Sequence, residues 1–113
     1  MQRLPKRLVD GSQLTASAAT YYTAPANTLA TISACTLTNT TAGAITATVY
    51  LVASGGTAGV TNCILSARNL AAGESFNVGS AIGQTLAAAG TLQALASSGT
   101  SITLVASGYE SIV

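Results

Sequence analysis

The side chains that could carry acid–base chemistry are few and lie far apart in the sequence. Histidine, the commonest general base and metal ligand, is absent. The carboxylates are Asp10, Glu74 and Glu110, and a paired-carboxylate hydrolase needs two of them about 5–10 Å apart. No motif brings two together, and a Ser–Lys dyad would have to recruit Lys6 from the N-terminal end. The sequence therefore predicts a protein that is not an enzyme and has no cofactor.

The two cysteines, Cys35 and Cys63, fall on different predicted strands. Two thiols without histidine or a second cysteine pair do not form a zinc site, so no metal site is predicted. A disulfide requires those strands to be neighbours, and a reducing cytoplasm favours free thiols. We therefore expect two free thiols that pack as small hydrophobic side chains.

The glycines and basic residues do not form a phosphate or nucleic-acid site. The glycine-rich segment SGGTAGVT, residues 54–61, lacks the Lys-Ser/Thr ending of a P-loop and opens no helix, so we expect a strand connection there. Beyond residue 10 the only cation is Arg68, against two glutamates. Because phosphate binding requires several cations, no specific nucleic acid is predicted as a partner.

The first twelve residues differ in composition from the rest of the chain. They contain four of its seven charged residues, namely Arg3, Lys6, Arg7 and Asp10. Pro5 and Gly11 are expected to break any regular element. One interpretation is an arm that docks on a neighbouring subunit through Arg3, Pro5, Lys6 and Arg7, and the other is a frayed, solvated terminus. We divide the chain into an N-terminal arm, residues 1–12, and one domain, residues 13–113.

The composition indicates a single domain with an unusually neutral surface. The 113 residues suffice for one modest core. Only 6 % of them are charged and the net charge is +1, against a charged fraction of ~25 % in an average soluble protein. Charge usually keeps small domains apart in solution, so this surface favours packing against copies of the chain or a larger assembly. An ordinary soluble monomer with a Thr-rich surface is the alternative.

No membrane partner is predicted. Every apolar run is interrupted before the ~20 residues that a spanning helix needs. The opening MQRLPKRLVDG has basic residues but lacks the apolar core of ~7–15 residues that a secretory signal has. We therefore expect synthesis in the cytoplasm without a signal peptide.

Two β-type runs, residues 28–39 and 45–54, dominate the sequence. In the second run apolar side chains alternate with Thr and Tyr, a period of two that is typical of a half-buried strand. The polar turn between the runs predicts an antiparallel hairpin, with Pro25 where the chain enters it. In the first run, the apolar residues share one face only if a β-bulge lies near Ser33–Ala34.

Shorter strands are predicted along the rest of the chain, at residues 13–18, 19–23, 62–70, 74–78, 91–97 and 101–109, with one helical turn within 81–89. The segment Leu70-Ala-Ala-Gly-Glu is echoed by Leu86-Ala-Ala-Ala-Gly, which predicts the same type of corner twice. About eight short strands with frequent turns predict an all-β protein, an antiparallel β-sandwich or jelly roll with an extended N-terminal arm.

The predicted core takes its large side chains from five of the eight predicted strands. Phe76 is the only phenylalanine, so it is expected to be the largest core anchor. One of Tyr21 and Tyr22 should be buried with its hydroxyl hydrogen-bonded, because the two point to opposite faces of a strand. The full set of predicted anchors is Ile32, Leu37, Val49, Leu51, Phe76, Leu92 and Leu104.

Several motifs also carry a resemblance to a known class of proteins. They are Tyr21-Tyr22 followed by TAPANT, then LTNTTAG, VYLVASGGTAG and the Leu70-Ala-Ala-Gly-Glu segment. Through them the sequence from residue 19 to 113 resembles small structural proteins of tailed-bacteriophage virions. The resemblance implies a β-sandwich component of the virion, whose partners are copies of itself and other virion proteins of the capsid or head–tail junction.

We interpret the chain as a capsid decoration or cement protein that assembles as a homo-oligomer. A collar, neck or tail accessory protein is the first alternative. The second is a fibre or adhesin module that binds a host-surface glycan through exposed tyrosines, from among Tyr22, Tyr50 and Tyr109.

Overall fold

Two antiparallel sheets stack face to face, and their facing side chains form the core. The computed structural model describes residues 3–112. Their strands are β1 (Arg3–Gln13), β2 (Ala19–Thr23), β3 (Thr28–Asn39), β4 (Ile45–Val52), β5 (Cys63–Leu70), β6 (Ser75–Asn77), β7 (Thr85–Leu86), β8 (Thr91–Ala96) and β9 (Ile102–Ile112), with a 3₁₀ turn at Gly79–Ala81. The first sheet has the order β1-β9-β3-β6, with β7 also paired to β3, and the second has the order β2-β8-β4-β5. The predicted all-β sandwich is confirmed.

The core follows from strict alternation along the strands. In β8 every second residue is fully buried, and the same period runs through most of β9, because successive side chains of a strand point to opposite faces. Much of this core is alanine, which fills little volume. The alanines that are at most 2 % exposed are Ala24, Ala30, Ala47, Ala81, Ala94, Ala96 and Ala106.

Strand β3 has the predicted bounds, and β4 ends two residues earlier than predicted. The predicted bulge is confirmed, because the register between β3 and β9 shifts between Ile32 and Ala34. The predicted hairpin is wrong: β3 belongs to the first sheet and β4 to the second. Each strand must bury one face, and strands that lie opposite each other across a core satisfy that requirement as well as strands that lie side by side.

The crossing from β3 to β4 is organised by a buried amide that the sequence analysis did not identify. Asn39 is fully buried. Its Nδ2 donates hydrogen bonds to the carbonyls of Gly43 (2.7 Å) and Leu70 (3.0 Å), and its Oδ1 accepts one from the Thr41 backbone N–H (3.0 Å). These bonds satisfy backbone groups that would otherwise be unpaired where the chain leaves the sheet.

The chain also crosses between the sheets after β5 and after β7, and both crossings have the same type of turn, as the echoed Leu segments predict. Strands β5 and β7 both end in a buried leucine, and the turn that follows closes with an N–H···O=C bond, from Glu74 to Ala71 and from Gly90 to Ala87. The third turn residue has positive φ in both, 72° at Gly73 and 66° at Ala89. Strand β6 therefore crosses to the first sheet and pairs with β3, whereas the preceding strand β5 belongs to the second sheet.

The N-terminal residues differ from the expectation of a projecting arm. Strand β1 pairs with β9 from Arg3 to Gln13, so the described part of residues 1–12 lies in the first sheet. Pro5 does not break the strand, because β1 is an edge strand and a missing N–H costs nothing on its open side. Gly11 lies in a bulge, with φ of 107°. Residues 14–18, predicted as a strand, form a connection.

The predicted core anchors fall into two groups. Leu51 and Phe76 are only partly buried, so Phe76 is not the largest core side chain. Its strand β6 lies beside β3 near the sheet edge, and the Arg68 guanidinium covers the ring at 4.4 Å. The other predicted anchors are fully buried, namely Ile32, Leu37, Val49, Leu92 and Leu104.

Candidate assembly surface

The most exposed part of the first sheet is the first half of β1 beside the end of β9. Residues 3–7 are all exposed, although each pairs with a residue of β9 between Arg3↔Ser111 and Arg7↔Ser107. Farther along β1, Leu8 and Val9 are buried at 7 % and 2 % exposure. We call residues 3–7 and 107–112 the arm ribbon. It brings together the four predicted contact residues Arg3, Pro5, Lys6 and Arg7.

The arm ribbon presents different chemistry on its two faces. Residues directly opposite each other in an antiparallel pair lie on the same face, so Pro5 shares a face with its partner Tyr109. Arg3 and Arg7, two positions away, share this outer face as well. The inner face, which continues that of the core, carries Leu4 and Lys6 from β1 and Glu110 and Ile112 from β9.

A buried hydroxyl and a carboxylate fix the inner face of the ribbon to the second sheet. Tyr22 of β2 is 7 % exposed and donates from its hydroxyl to Glu110 Oε2 at 2.6 Å. The same oxygen accepts from Lys6 Nζ at 3.3 Å. Burial and the bond to Glu110 raise the pKa of Tyr22 well above its ordinary value. The prediction that one tyrosine of the pair is buried and bonded is therefore confirmed, and we call Tyr22, Glu110 and Lys6 the clasp.

The outer face of the ribbon is cationic and aromatic. The Arg3 guanidinium lies 5.7 Å from the centre of the Tyr109 ring, within cation–π distance. Arg7 donates to Asp10 at 3.1 Å, and both side chains are largely exposed, so this pair adds little stability. A shallow groove of about 410 Å³ runs over Gly108, between Pro5 and Arg7 on one side and Ser33 on the other.

The residues considered for catalysis do not converge. Asp10 and Glu110 lie on β1 and β9, whereas Glu74 closes the corner after β5. Within residues 3–112, no group of three or more His, Cys, Asp or Glu side chains could hold a metal ion. No helix in this part of the chain is long and apolar enough to span a membrane.

The cysteines lie on different sheets and are free thiols. Cys35 of β3 is fully buried, and burial raises the pKa of its thiol to about 11. Cys63, at the start of β5, is half-buried and donates from its Sγ to the Leu65 carbonyl at 3.2 Å. A thiol with a raised pKa is mostly protonated at neutral pH and therefore a weak nucleophile.

The three tyrosines of the adhesin alternative do not share a surface. Tyr22 is buried in the clasp. Tyr50 lies on the outer face of the second sheet and Tyr109 on the outer face of the first, on opposite sides of the sandwich. A concave, tyrosine-lined glycan site therefore does not form from these residues.

The sequence did not identify Leu4, Glu110 and Ile112 as members of the arm ribbon, or Tyr22 as their partner in the clasp. Leu4 and Ile112 lie far apart in the sequence, and they become neighbours on the sheet only because β1 pairs with β9. Neither Leu4 nor Ile112 is part of a sequence pattern that indicates an exposed apolar side chain. Their exposure follows only from the fold.

Comparison with known proteins adds the following findings. No protein-family model and no curated protein matches the chain. Among solved structures, it is similar to a chain of the infectious bursal disease virus Gt strain, with 17 % identity and a TM-score of 0.48, and to one of the Gx strain, with 22 % identity and a TM-score of 0.47. Each similarity covers 96 % of this chain but only 32 % and 30 % of the viral chains. The resemblance to tailed-phage proteins stays a prediction.

Proposed function

We propose that the chain is a non-enzymatic structural component of a tailed-phage virion, a capsid decoration or cement protein that assembles as a homo-oligomer. The observation that carries this proposal is the arm ribbon: an edge strand with five successive exposed residues, on a sandwich that is otherwise almost free of charge. Arg3, Lys6, Arg7, Asp10 and Glu110 are five of the seven charged residues of the chain, and all of them lie on β1 or β9.

The distribution of charge supports a contact role for the ribbon. The outer faces of both sheets carry mainly Thr and Ser hydroxyls, some of them bonded to each other, as Thr38 is to Ser75 at 3.0 Å. Such a surface has no strong charge to keep copies apart. Orientation on a partner must then come from the few charged groups, and these are concentrated on the ribbon.

The edge of β1 is protected against uncontrolled strand addition. Pro5 lacks an N–H, Lys6 and Arg7 are charged, and two register shifts follow at Arg7/Val9 and Asp10/Ser12, all of which discourage edge-to-edge pairing. The ribbon therefore offers its side chains, and not its backbone, to a partner. This suits a protein that must bind a shell at defined places without forming fibres.

The decoration role is tested on virions of the virus that encodes the chain. An antibody to the purified protein should detect it in gradient-purified particles, and labelled antibody should mark the shell in electron micrographs. Label at the neck or tail would support the collar and tail alternatives instead.

The contribution of the ribbon is tested by returning purified protein to particles that lack it. The variant Arg3→Glu with Arg7→Glu should bind at least about tenfold more weakly, because it reverses both outer-face cations. Arg68→Glu, outside the ribbon, is the matched control and should bind like the wild type. Absence of the protein from purified particles would refute the proposal.

A further inference from the structure

Two of the large apolar side chains that the sandwich leaves exposed lie close together in the strand register at the end of the arm ribbon. Within residues 3–112, these side chains are Leu4 (40 % exposed), Val60 (96 %), Ile82 (51 %) and Ile112 (60 %). Val60 and Ile82 lie singly in connections. Leu4 lies opposite Glu110, and Ile112 is the next residue of β9 on the same face, so Leu4 and Ile112 are diagonal neighbours.

These residues and the clasp form one surface, which we call the tip surface: Leu4, Lys6, Glu110 and Ile112. It continues the inner face of the first sheet, whose adjoining residues Ala30 and Ile32 are fully buried under the second sheet. At Leu4 and Ile112 the tip surface is therefore a part of the core-facing side that the second sheet leaves exposed, whereas Glu110 beside them is covered by Tyr22 of β2. Paired exposed apolar groups in such a position mark an interaction site more often than scattered ones do.

The charges of the tip surface indicate which partner fits. Lys6 and Glu110 are 3.3 Å apart, with side-chain exposures of 50 % and 13 %. A nucleic acid or an acidic protein would meet the Glu110 carboxylate beside the cation. A second copy presents the same two charges, so an isologous contact that brings Lys6 of one copy toward Glu110 of the other forms the same pair a second time.

We infer that the tip surface is a two-fold contact between copies of this chain, with Leu4 and Ile112 at its apolar centre and the Lys6–Glu110 pairs at its border. This inference rests on the proposed function, since it names the surface through which the homo-oligomer forms. In this contact, the tip surface of one copy packs on the tip surface of the other, and Leu4 and Ile112 of both copies become buried.

The test measures native mass by light scattering after size exclusion, with the full chain at micromolar concentration. Leu4→Asp and Ile112→Asp should each raise the apparent dissociation constant at least about tenfold, because each buries a carboxylate at the centre of the contact. Ile82→Asp, of comparable exposure in the wild type, is the control and should keep the wild-type mass. Equal thermal unfolding of the three variants would show that the fold is intact.

Proximity across the axis gives a second measurement. In a Cys63→Ser background, Ile112→Cys should yield a disulfide-linked dimer on mild oxidation, whereas Ile82→Cys should stay monomeric on a non-reducing gel. An oligomer that survives both tip variants would overturn the inference and leave the proposed function standing, with another surface responsible. A wild-type chain that is monomeric in solution would also overturn it, while the particle-binding test would still decide the proposed function.

Discussion

Strand β9 has a partner on each side, and the two pairings differ in what they bury. With β3 it pairs from Thr28↔Ile112 to Asn39↔Ile102, and with β1 from Arg3↔Ser111 to Gln13↔Thr103. Strand β3 buries six of its twelve residues, whereas the first five residues of β1 are all exposed. The same strand therefore takes part in the centre of the core and in the most exposed part of the first sheet.

The difference shows that hydrogen-bonded pairing and burial are separate sources of stability. A buried Leu or Ile side chain contributes about 1.5–3 kcal/mol, while a backbone hydrogen bond contributes a net of about 0.5–1.5 kcal/mol. The β3–β9 pair has both buried side chains and a backbone hydrogen-bond ladder. The first half of β1 has the ladder and the clasp, so we expect it to open at lower free energy than the β3–β9 pair.

The β3–β9 and β1–β9 pairings should differ most in how an introduced charge affects folding. Leu104 of β9 is fully buried opposite Leu37 of β3. Leu104→Asp should prevent folding, because the carboxylate would have no partner in the core. Leu4→Asp on the ribbon should fold with the wild-type circular dichroism spectrum. A stable, soluble Leu104→Asp variant would contradict the strand register described above.

A single added methyl group should also affect the β3–β9 pairing more than a position outside it. A Cβ at Gly108 would collide with the Thr31 carbonyl oxygen of β3. Gly108→Ala should lower the free energy of unfolding by about 1–3 kcal/mol, as overpacking does, measured by urea titration. Gly79→Ala is the control, because a Cβ there meets no atom within 4 Å. Equal losses in both variants would mean that the close β3–β9 approach is not the cause.

Removal of one hydroxyl should loosen the ribbon side alone. Tyr22→Phe deletes the bond to Glu110, and a hydrogen bond to a charged group contributes about 1.5–3 kcal/mol. We expect the free energy of unfolding to fall by about 1.5 kcal/mol, with faster amide hydrogen exchange in β1 and unchanged exchange in β3. Tyr50→Phe should cost less than about 0.5 kcal/mol, since the Tyr50 hydroxyl has no hydrogen bond to any of residues 3–112. Unchanged β1 exchange in Tyr22→Phe would argue against the clasp.

The smallest expected effect is a pH-dependent loss of stability that comes from Cys35 of β3. The pKa of Cys35 is raised from 9.0 to about 11 in the folded protein. Its contribution to stability is therefore complete below pH 9 and is lost as the pH rises toward 11. We expect about 1 kcal/mol less stability at pH 10 than at pH 8, by urea titration. Cys35→Ala should lose most of this decline and keep a smaller one, because Tyr22, whose pKa is also raised, begins to contribute near pH 10. An equal decline in that variant would assign the effect to other groups.

Much of the candidate surface was accessible from the sequence, but not its geometry. The concentration of charge in residues 1–12 identified Arg3, Pro5, Lys6 and Arg7 as contact candidates, since composition is a local property. It gave no information on Glu110, which neutralises Lys6 from the other end of the chain. Composition therefore predicted an extended N-terminal arm where the structure has an edge strand.

The sequence by itself determined the β class, the bulge near Ser33, the two echoed corners and the alternation of β8 and β9. These features depend on side-chain period and turn chemistry within a few residues. Tertiary structure alone decided that β3 and β4 belong to different sheets, that Phe76 lies near an edge under Arg68, and that Leu4 and Ile112 are diagonal neighbours. Each of these depends on which strand pairs with which, and a strand with one apolar face fits several partners until the whole core is assembled.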